Sequence, residues 1–381
     1  MNGPLSGLRV VVLAGMGPTP FTSMLLADLG AEVVRIAPPP SRRRLSPTPA
    51  DGIDAQYDVV NRGVTSVELD LKDPADVDAA LALITRAEVF IEGFRPGVAE
   101  RLGLGPDVLL NRLPNLVYAR LTGYGQDGPL AQAAGHDINY VAQSGALNML
   151  RRPGAAPHPP INLLGDYAGG GALAAFGIVA GVLWARQTGI GQVIDSAMID
   201  GVAILTTKLL GLHAAGLFAG EPGTNYLDGG APYYDTYQCA DGRYIAVGAL
   251  EHTFYQAFLD GLEVDTSDWP AQLDRAEWSR LRELIGQVVG RRTRDEWAAA
   301  FAGTDACVTP VLDFEEAARD PHNAAREMFR RVGTVLHPVP SPRFSGTPAR
   351  PPEAPHDESV SITDVLRSWG ASLEPADDVT P

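Results

Sequence analysis

Cysteine is nearly absent. The 381 residues hold 2 Cys, Cys239 and Cys307, too far apart for a CxxC motif and too few for a disulfide framework. A reducing compartment follows, and a cytoplasmic location is expected. Positive charge is also scarce: 30 Lys+Arg against 46 Asp+Glu leave a net charge of −16. Nucleic-acid and anionic-membrane binders need a cationic face that is not cancelled globally, so neither partner is expected. Lys72 and Lys208 are the only lysines, and the histidines number 7. Long apolar runs are missing too, with one exception. Met1-Asn2-Gly3-Pro4 shows no basic segment leading into an apolar core, so no secretory signal is read, and the terminal Asp-Asp-Val-Thr-Pro is no peroxisomal tripeptide. The exception, Tyr167 to Ala185, carries no charge. It is borderline in length for a bilayer and has no second span to pair with, so it reads as a helix buried on all sides in a soluble core.

What remains is an ordinary globular composition, 45% hydrophobic and 20% charged. At roughly 150 residues per domain the length predicts two or three domains, in a chain large enough to fold without a disulfide or metal staple. Residues 8–37 read as strand, helix, strand: Arg9-Val10-Val11-Val12-Leu13, then Phe21 to Leu29 closed by Gly30, then Glu32 to Ile36. The intervening Gly15-Met16-Gly17-Pro18-Thr19-Pro20 fails as a dinucleotide fingerprint, because Pro20 stands at the third glycine position. Residues 38–64 read as a loop. Strands at Ser66–Leu71, Val89–Glu92 and Leu116–Leu121 alternate with helices at Asp73–Arg86 and from Val98. That alternation predicts an α/β fold: a large Rossmann-like domain, residues 1–190, around a mostly parallel sheet. A long apolar helix is expected at Ser196–Leu217, inside a linker at 191–225. Residues 226–314 read as a smaller α+β domain whose strands Tyr233–Cys239 and Arg243–Val247 join through Asp241-Gly242. Residues 315–381 form a Pro-rich return segment packing on the large domain.

Three short segments concentrate unusual polar groups. Gly135-His136-Asp137-Ile138-Asn139-Tyr140 places a histidine between an apparent strand and a helix, where it either faces a cleft or caps the helix. In Asn162-Leu163-Leu164-Gly165-Asp166, the carboxylate sits at the start of the uncharged helix, where free N–H groups stabilise it. An N-cap would look the same. The Gly169-Gly170-Gly171 that follows weakens the helix by up to about 1 kcal/mol per residue, and lets a ligand or partner chain approach the backbone. Glu251, at the end of a strand and before a helix, is either a helix cap or surface acid, or a functional acid.

Together these segments match a family. LSGLRVVV at 5–12, LADLGAEVV at 26–34, EGFRPGV at 92–98, GHDINY at 135–140, NLLGDYAGGG at 162–171, LDGGAPYY at 227–234 and TDACVTPVL at 304–312 resemble, in order, those of α-methylacyl-CoA racemases. These belong to the family III CoA-transferase (CaiB/BaiF) superfamily. The resemblance covers about residues 4–330 and fades across the Pro-rich C-terminal part.

The resemblance implies an isomerase that inverts the α-carbon of 2-methyl-branched acyl-CoA thioesters. His136 and Asp166 are then the two acid/base groups flanking that carbon. Glu251 supports the His136 imidazole, and Asn162 supplies a hydrogen bond. Asp166 must be neutral when it donates, so its site is expected to raise its pKa. Backbone N–H groups beside Asp166 are the expected donors to the enolate oxygen. Arg95, the strand end Leu69-Asp70-Leu71-Lys72, and Gly135, Asp137, Ile138, Asn139 and Tyr140 are expected to bind CoA or substrate. No metal and no cofactor is implied, CoA being part of the substrate. The family also implies an interlocked homodimer, with Glu251 coming from the second chain. Where the family shows Asp-Arg-Pro this sequence has Ala37-Pro38-Pro39, so Arg42, Arg43 or Arg44 must replace the missing arginine or the contact is lost. Val64 replaces a common basic residue, and His252-Thr253 replaces the usual Pro-Gln. Two other readings stand beside the racemase: a family III CoA-transferase with Asp166 as nucleophile, and a non-catalytic acyl-CoA-binding protein.

Overall fold

A computed structural model describes residues 3–42, 54–218, 220–355 and 358–370. The chain forms two compact units. The first comprises Met1–Ser144, Pro160–Leu205 and Ala324–Pro381; the second comprises Gly145–Pro159 and Thr206–Asn323. The boundary therefore falls at 205/206, and residues 145–159 group with the second unit.

The first unit is built on a six-stranded sheet: β1 (Arg9–Leu13), β2 (Glu32–Ala37), β3 (Val64–Glu68), β4 (Val89–Glu92), β5 (Val117–Thr122) and β6 (Gln192–Ala197). The order is β3-β2-β1-β4-β5-β6, with every pairing parallel. Strands covered on both faces read as largely apolar runs, as the inner strands β1, β2, β4 and β5 do; the edge strand β3, VTSVE, does not, and it lies at Val64–Glu68 rather than at the expected Ser66–Leu71. Val11, Leu13, Phe90 and Tyr118 enter one core, with Leu83, Ile84, Leu109 and Leu366 from the covering helices. Their neighbours Val10, Val12, Ile91 and Ala119 enter the opposite core, with Leu26, Ala174, Ile178 and Val182. The order reverses between β1 and β4, and such a switch opens a crevice at the carboxyl ends of the strands.

Two expectations are corrected. Residues 196–217 are not one helix. Gln192–Ala197 is the sixth strand, aligned with β5 from Val117 opposite Gln192 to Thr122 opposite Ala197, and the helices Met198–Leu205 and Thr207–Ala214 follow separately. At a sheet edge, long-range pairing decides what a local apolar pattern cannot. Nor is the uncharged helix buried on all sides. Ala174, Ile178, Gly181, Val182 and Ala185 line its inner face, whereas Phe176 is 73%, Leu183 59% and Trp184 50% exposed. Among the described residues Leu163–Thr188 is the one helical stretch long and apolar enough to cross a membrane, and half of its most apolar window is buried inside the fold.

The return segment supplies the hairpin β10 (Phe329–Val332) and β11 (Val335–Pro338), named after the three strands of the second unit described next. Its last helix, Ile362–Ser368, packs Val365 and Leu366 into the first core. Trp369 Nε1 donates to Glu32 at 2.8 Å, and Arg62 clamps Asp28 with two hydrogen bonds of 3.0 and 2.6 Å. In the second unit β7 (Tyr234–Gln238), β8 (Tyr244–Gly248) and β9 (Val308–Pro310) form an antiparallel sheet. Its first turn is Asp241-Gly242, with Gly242 at φ +78°. The helices His252–Gly261, Trp278–Val289 and Arg294–Ala300 cover it, burying Phe258, Leu281, Ile285 and Trp297.

Candidate active site

The loop leaving β1 runs along the carboxyl edge of the sheet and ends at Gly17, with φ 63° and ψ −112°. Only glycine adopts that backbone without strain. The missing side chain matters as much: a Cβ there would lie 3.0 Å from Cγ, Oδ1 and Oδ2 of Asp166. The Asp166 carboxyl thus occupies space that a glycine leaves open. Asp166 lies in Leu163–Ala172, a π-helical run that continues as the helix Leu173–Thr188; such wide turns recur at functional sites. Just before it, Asn162 Nδ2 donates to Asp166 Oδ2 at 3.3 Å. Ile161, a β-branched residue, holds φ +58°, a strained left-handed backbone next to that asparagine.

His136 stands at the N-cap of the helix Asp137–Gln143 with extended backbone and an exposed imidazole. Its own N–H is tied down by Asn139 Oδ1 at 3.0 Å. The next residue links the two segments. Asp137, 6% exposed, accepts the N–H groups of Gly165 at 2.6 Å and Asp166 at 2.7 Å on one oxygen, Oδ2. Tyr140 completes the support. Its hydroxyl donates to the Gly135 carbonyl at 2.5 Å, and its ring packs edge-on against Tyr124 at 5.0 Å, in space left by Gly123 and Gly135. Burial pushes the Tyr140 hydroxyl up to about 12.

Asp166 is half-buried, and burial raises its pKa above the usual aspartate value. The Asn162 hydrogen bond and the nearby His136 oppose this rise, while the Asp137 charge adds to it. The result is a half-buried carboxyl biased toward its protonated form, in a segment adjoining the one that carries the His136 imidazole.

A family model described as CoA-transferase family III matches residues 5–358. This chain belongs to CoA-transferase family III. The chain is 45% identical over 373 residues to a Mus musculus protein named alpha-methylacyl-CoA racemase, covering 97% of this chain and 94% of that one. A Homo sapiens protein of the same name is 43% identical over 350 residues, covering 91% and 88%. A crystal structure of a CaiB/BaiF family protein from Brucella suis matches with a TM-score of 0.81 at 24% identity, over 97% of this chain and 99% of that one. The last likeness shows a shared fold.

Other expected positions of this family III chain fall as follows. Arg95 is exposed in the turn after β4, and its charge reaches Tyr140. Beyond β3, Leu69 is buried, Asp70 and Leu71 are half-buried, and Lys72 is exposed. Asp70 and Lys72 are held by backbone bonds to Asp76 Oδ2 at 2.7 Å and Asp70 Oδ1 at 3.2 Å. Ile138 and Asn139 are exposed. Asp137 differs from the expectation of a substrate contact, since its carboxylate points inward to the Asp166 run. Glu251 belongs to the second unit. It stands exposed before the helix His252–Gly261, and its carboxylate is not spent on capping. Of the arginines expected to replace the one missing at Pro38, Arg43 and Arg44 lie outside the described residues, as does the side chain of Arg42.

One further expectation is narrowed and one is overturned. Of the backbone N–H groups beside Asp166 expected as oxyanion donors, those of Gly165 and Asp166 are taken by Asp137 Oδ2. The triple glycine admits neither ligand nor partner here, but the chain's own helices. A Cβ on Gly169 would meet Val202, one on Gly170 would meet Met198 and Pro18, and one on Gly171 would meet Phe21. Sequence reasoning passed over Gly17 and Gly165 as site residues. Their signal was present in the Gly15-Met16-Gly17 loop and the NLLGD segment, as glycines beside chemistry. Only the fold shows what approaches them.

Proposed function

We propose that this protein inverts the α-carbon of 2-methyl-branched acyl-CoA thioesters by moving protons between substrate and the His136/Asp166 pair. One member takes the α-proton, and the C–H electron pair passes into an enolate. The other member then returns a proton to the opposite face of the same carbon. The observation that carries this reading is the paired environment: an exposed imidazole and a half-buried carboxyl with raised pKa, in segments joined through one buried carboxylate. The names of the 45% and 43% identical relatives support the same activity. Asn162 orients Asp166. No metal or separate cofactor enters the scheme.

CoA is assigned to the carboxyl edge of the sheet, where Arg95 and Lys72 supply exposed positive charge for its phosphates. Gly135, Ile138, Asn139 and Tyr140 shape the neighbouring wall, and Leu69 to Leu71 the strand end beneath. A homodimer is part of the proposal. The exposed Phe176, Leu183 and Trp184, beside the edge strand β6 with Val193 41% exposed, make an apolar face of the kind that subunit contacts cover. Glu251 of a second copy is assigned to hydrogen-bond His136 and hold its tautomer. Incubation of a (2R)- or (2S)-2-methylacyl-CoA in deuterated water tests the reading. Deuterium at the α-carbon with loss of optical purity, and no acceptor acid, supports it. Movement of CoA to an added carboxylate without α-exchange replaces it with transfer through Asp166.

A further inference from the structure

We propose that Asp137 is a positioning residue for proton transfer, its buried carboxylate fixing the Asp166 run against the segment that carries His136. The inference rests on the racemase reading above. It begins from an economy of contacts. A single oxygen, Asp137 Oδ2, receives both the Gly165 and the Asp166 N–H, at 2.6 and 2.7 Å. One of those donors belongs to the reacting aspartate itself, and Asp137 directly follows His136 in the chain. The distance between the two acid/base groups is therefore set through very few covalent bonds and two short, charge-assisted hydrogen bonds. Gly165 is required for this contact, because a Cβ there would stand 2.6 Å from Asp137 Oδ2 and 2.9 Å from Cγ.

The other oxygen, Oδ1, is buried without a hydrogen-bond partner among the described residues. The arrangement keeps a negative charge next to Asp166 with little solvent to screen it. Around the Asp166 run, the titratable or charged groups are His136, Asp137 and Tyr140 on one side and Tyr167 on the run itself. Neighbouring helices contribute Asp28, Arg186 and Asp200, and the strands Tyr118, Arg120 and Asp195. Of these, Asp137 and His136 are the two whose charges bear on Asp166: Asp137 raises its pKa and His136 lowers it. Asp137 thus anchors the aspartate and favours its proton-bearing form.

The test compares Asp137→Asn and Gly165→Ala with wild type by α-deuterium exchange across pH. Asp137→Asn keeps an acceptor oxygen and removes the charge. Its kcat is expected to fall about tenfold or more, toward the roughly 100-fold that a 1 Å misplacement costs, with KM nearly unchanged. The acid limb of its kcat profile moves to lower pH, because the Asp166 carboxyl loses a neighbouring charge that favoured protonation; that limb belongs to the coupled pair. Gly165→Ala keeps the charge but displaces it, and kcat falls while KM holds. A purely structural cap scales the whole profile and leaves the limb in place. A stationary limb in Asp137→Asn, or wild-type kcat in Gly165→Ala, overturns the proposal while wild-type exchange persists. Wild-type protein without exchange overturns the racemase reading instead, and this inference with it.

Discussion

Replacing Gly17 by alanine probes how closely the β1 loop is fitted to the Asp166 carboxyl. Two costs are separable. The backbone at φ 63°, ψ −112° lies in a region that a side chain occupies at a cost of about 1–3 kcal/mol. The new methyl also stands 3.0 Å from all three carboxyl atoms, where relaxed contacts need about 3.5–4.0 Å, so the carboxyl must retreat by roughly half an ångström to one. Misplacement of that size lowers the rate by about tenfold to 100-fold, or roughly 1.4–2.7 kcal/mol of transition-state stabilisation. Gly103→Ala is the matched control. Gly103 also has positive φ, at +72°, and a methyl added there would meet no atom of the described residues within 4 Å, so it carries the backbone cost alone. Urea unfolding and α-deuterium exchange read the two terms. Gly17→Ala is expected to lose stability and activity, and Gly103→Ala stability only. Unimpaired exchange in Gly17→Ala, or an equal activity loss in Gly103→Ala, refutes the reasoning.

Other perturbations have equally definite outcomes. Asn162→Ala removes a hydrogen bond that stabilises the Asp166 anion, so the acid limb of the exchange profile moves to higher pH; a downward move contradicts the assignment. Asp28→Ala strands the buried Arg62, 2% exposed, and costs about 3–5 kcal/mol in urea unfolding; a loss under about 1 kcal/mol disproves a buried ion pair. Gly201→Ala drives a methyl to 1.8 Å from the Gly169 carbonyl and is expected to cost about 3 kcal/mol or more; near-native stability would show that these helices separate readily. Under the proposed homodimer, Trp184→Ser on the exposed apolar face is expected to weaken self-association in sedimentation velocity, whereas an unchanged sedimentation coefficient removes that face from the proposed interface.

Strands β1, β2, β4 and β5 could be read from sequence because each lies inside the sheet, which leaves apolar runs such as Val10-Val11-Val12, whereas the edge strand β3 lies at Val64–Glu68, shifted from the Ser66–Leu71 that the sequence suggests. β6 could not. It is an edge strand whose Gln192, Val193 and Asp195 face outward, and only its pairing with β5 marks it. The helix after Asp166 looked wholly buried because Phe176, Leu183 and Trp184 are apolar, and hydrophobicity does not distinguish a core from an apolar outer face. His136, Asp166 and Asn162 were legible as parts of motifs with a known resemblance. The roles of Gly17, Gly165 and the Asp137 side chain were not, since each depends on an approach between segments far apart in sequence. Gly17 and Asp166, for example, are separated by well over a hundred residues.

The central claim is that one imidazole and one carboxyl share the transfer of a proton at a single carbon. It is tested most directly by following α-deuterium incorporation and optical rotation together, from each pure enantiomer of a 2-methylacyl-CoA, in wild type, His136→Ala and Asp166→Ala. The account predicts exchange with racemisation in wild type. Each single variant should lose racemisation, and any remaining exchange should occur from only one enantiomer, the one whose proton the surviving base can reach. Racemisation that persists at the wild-type rate in either variant contradicts it.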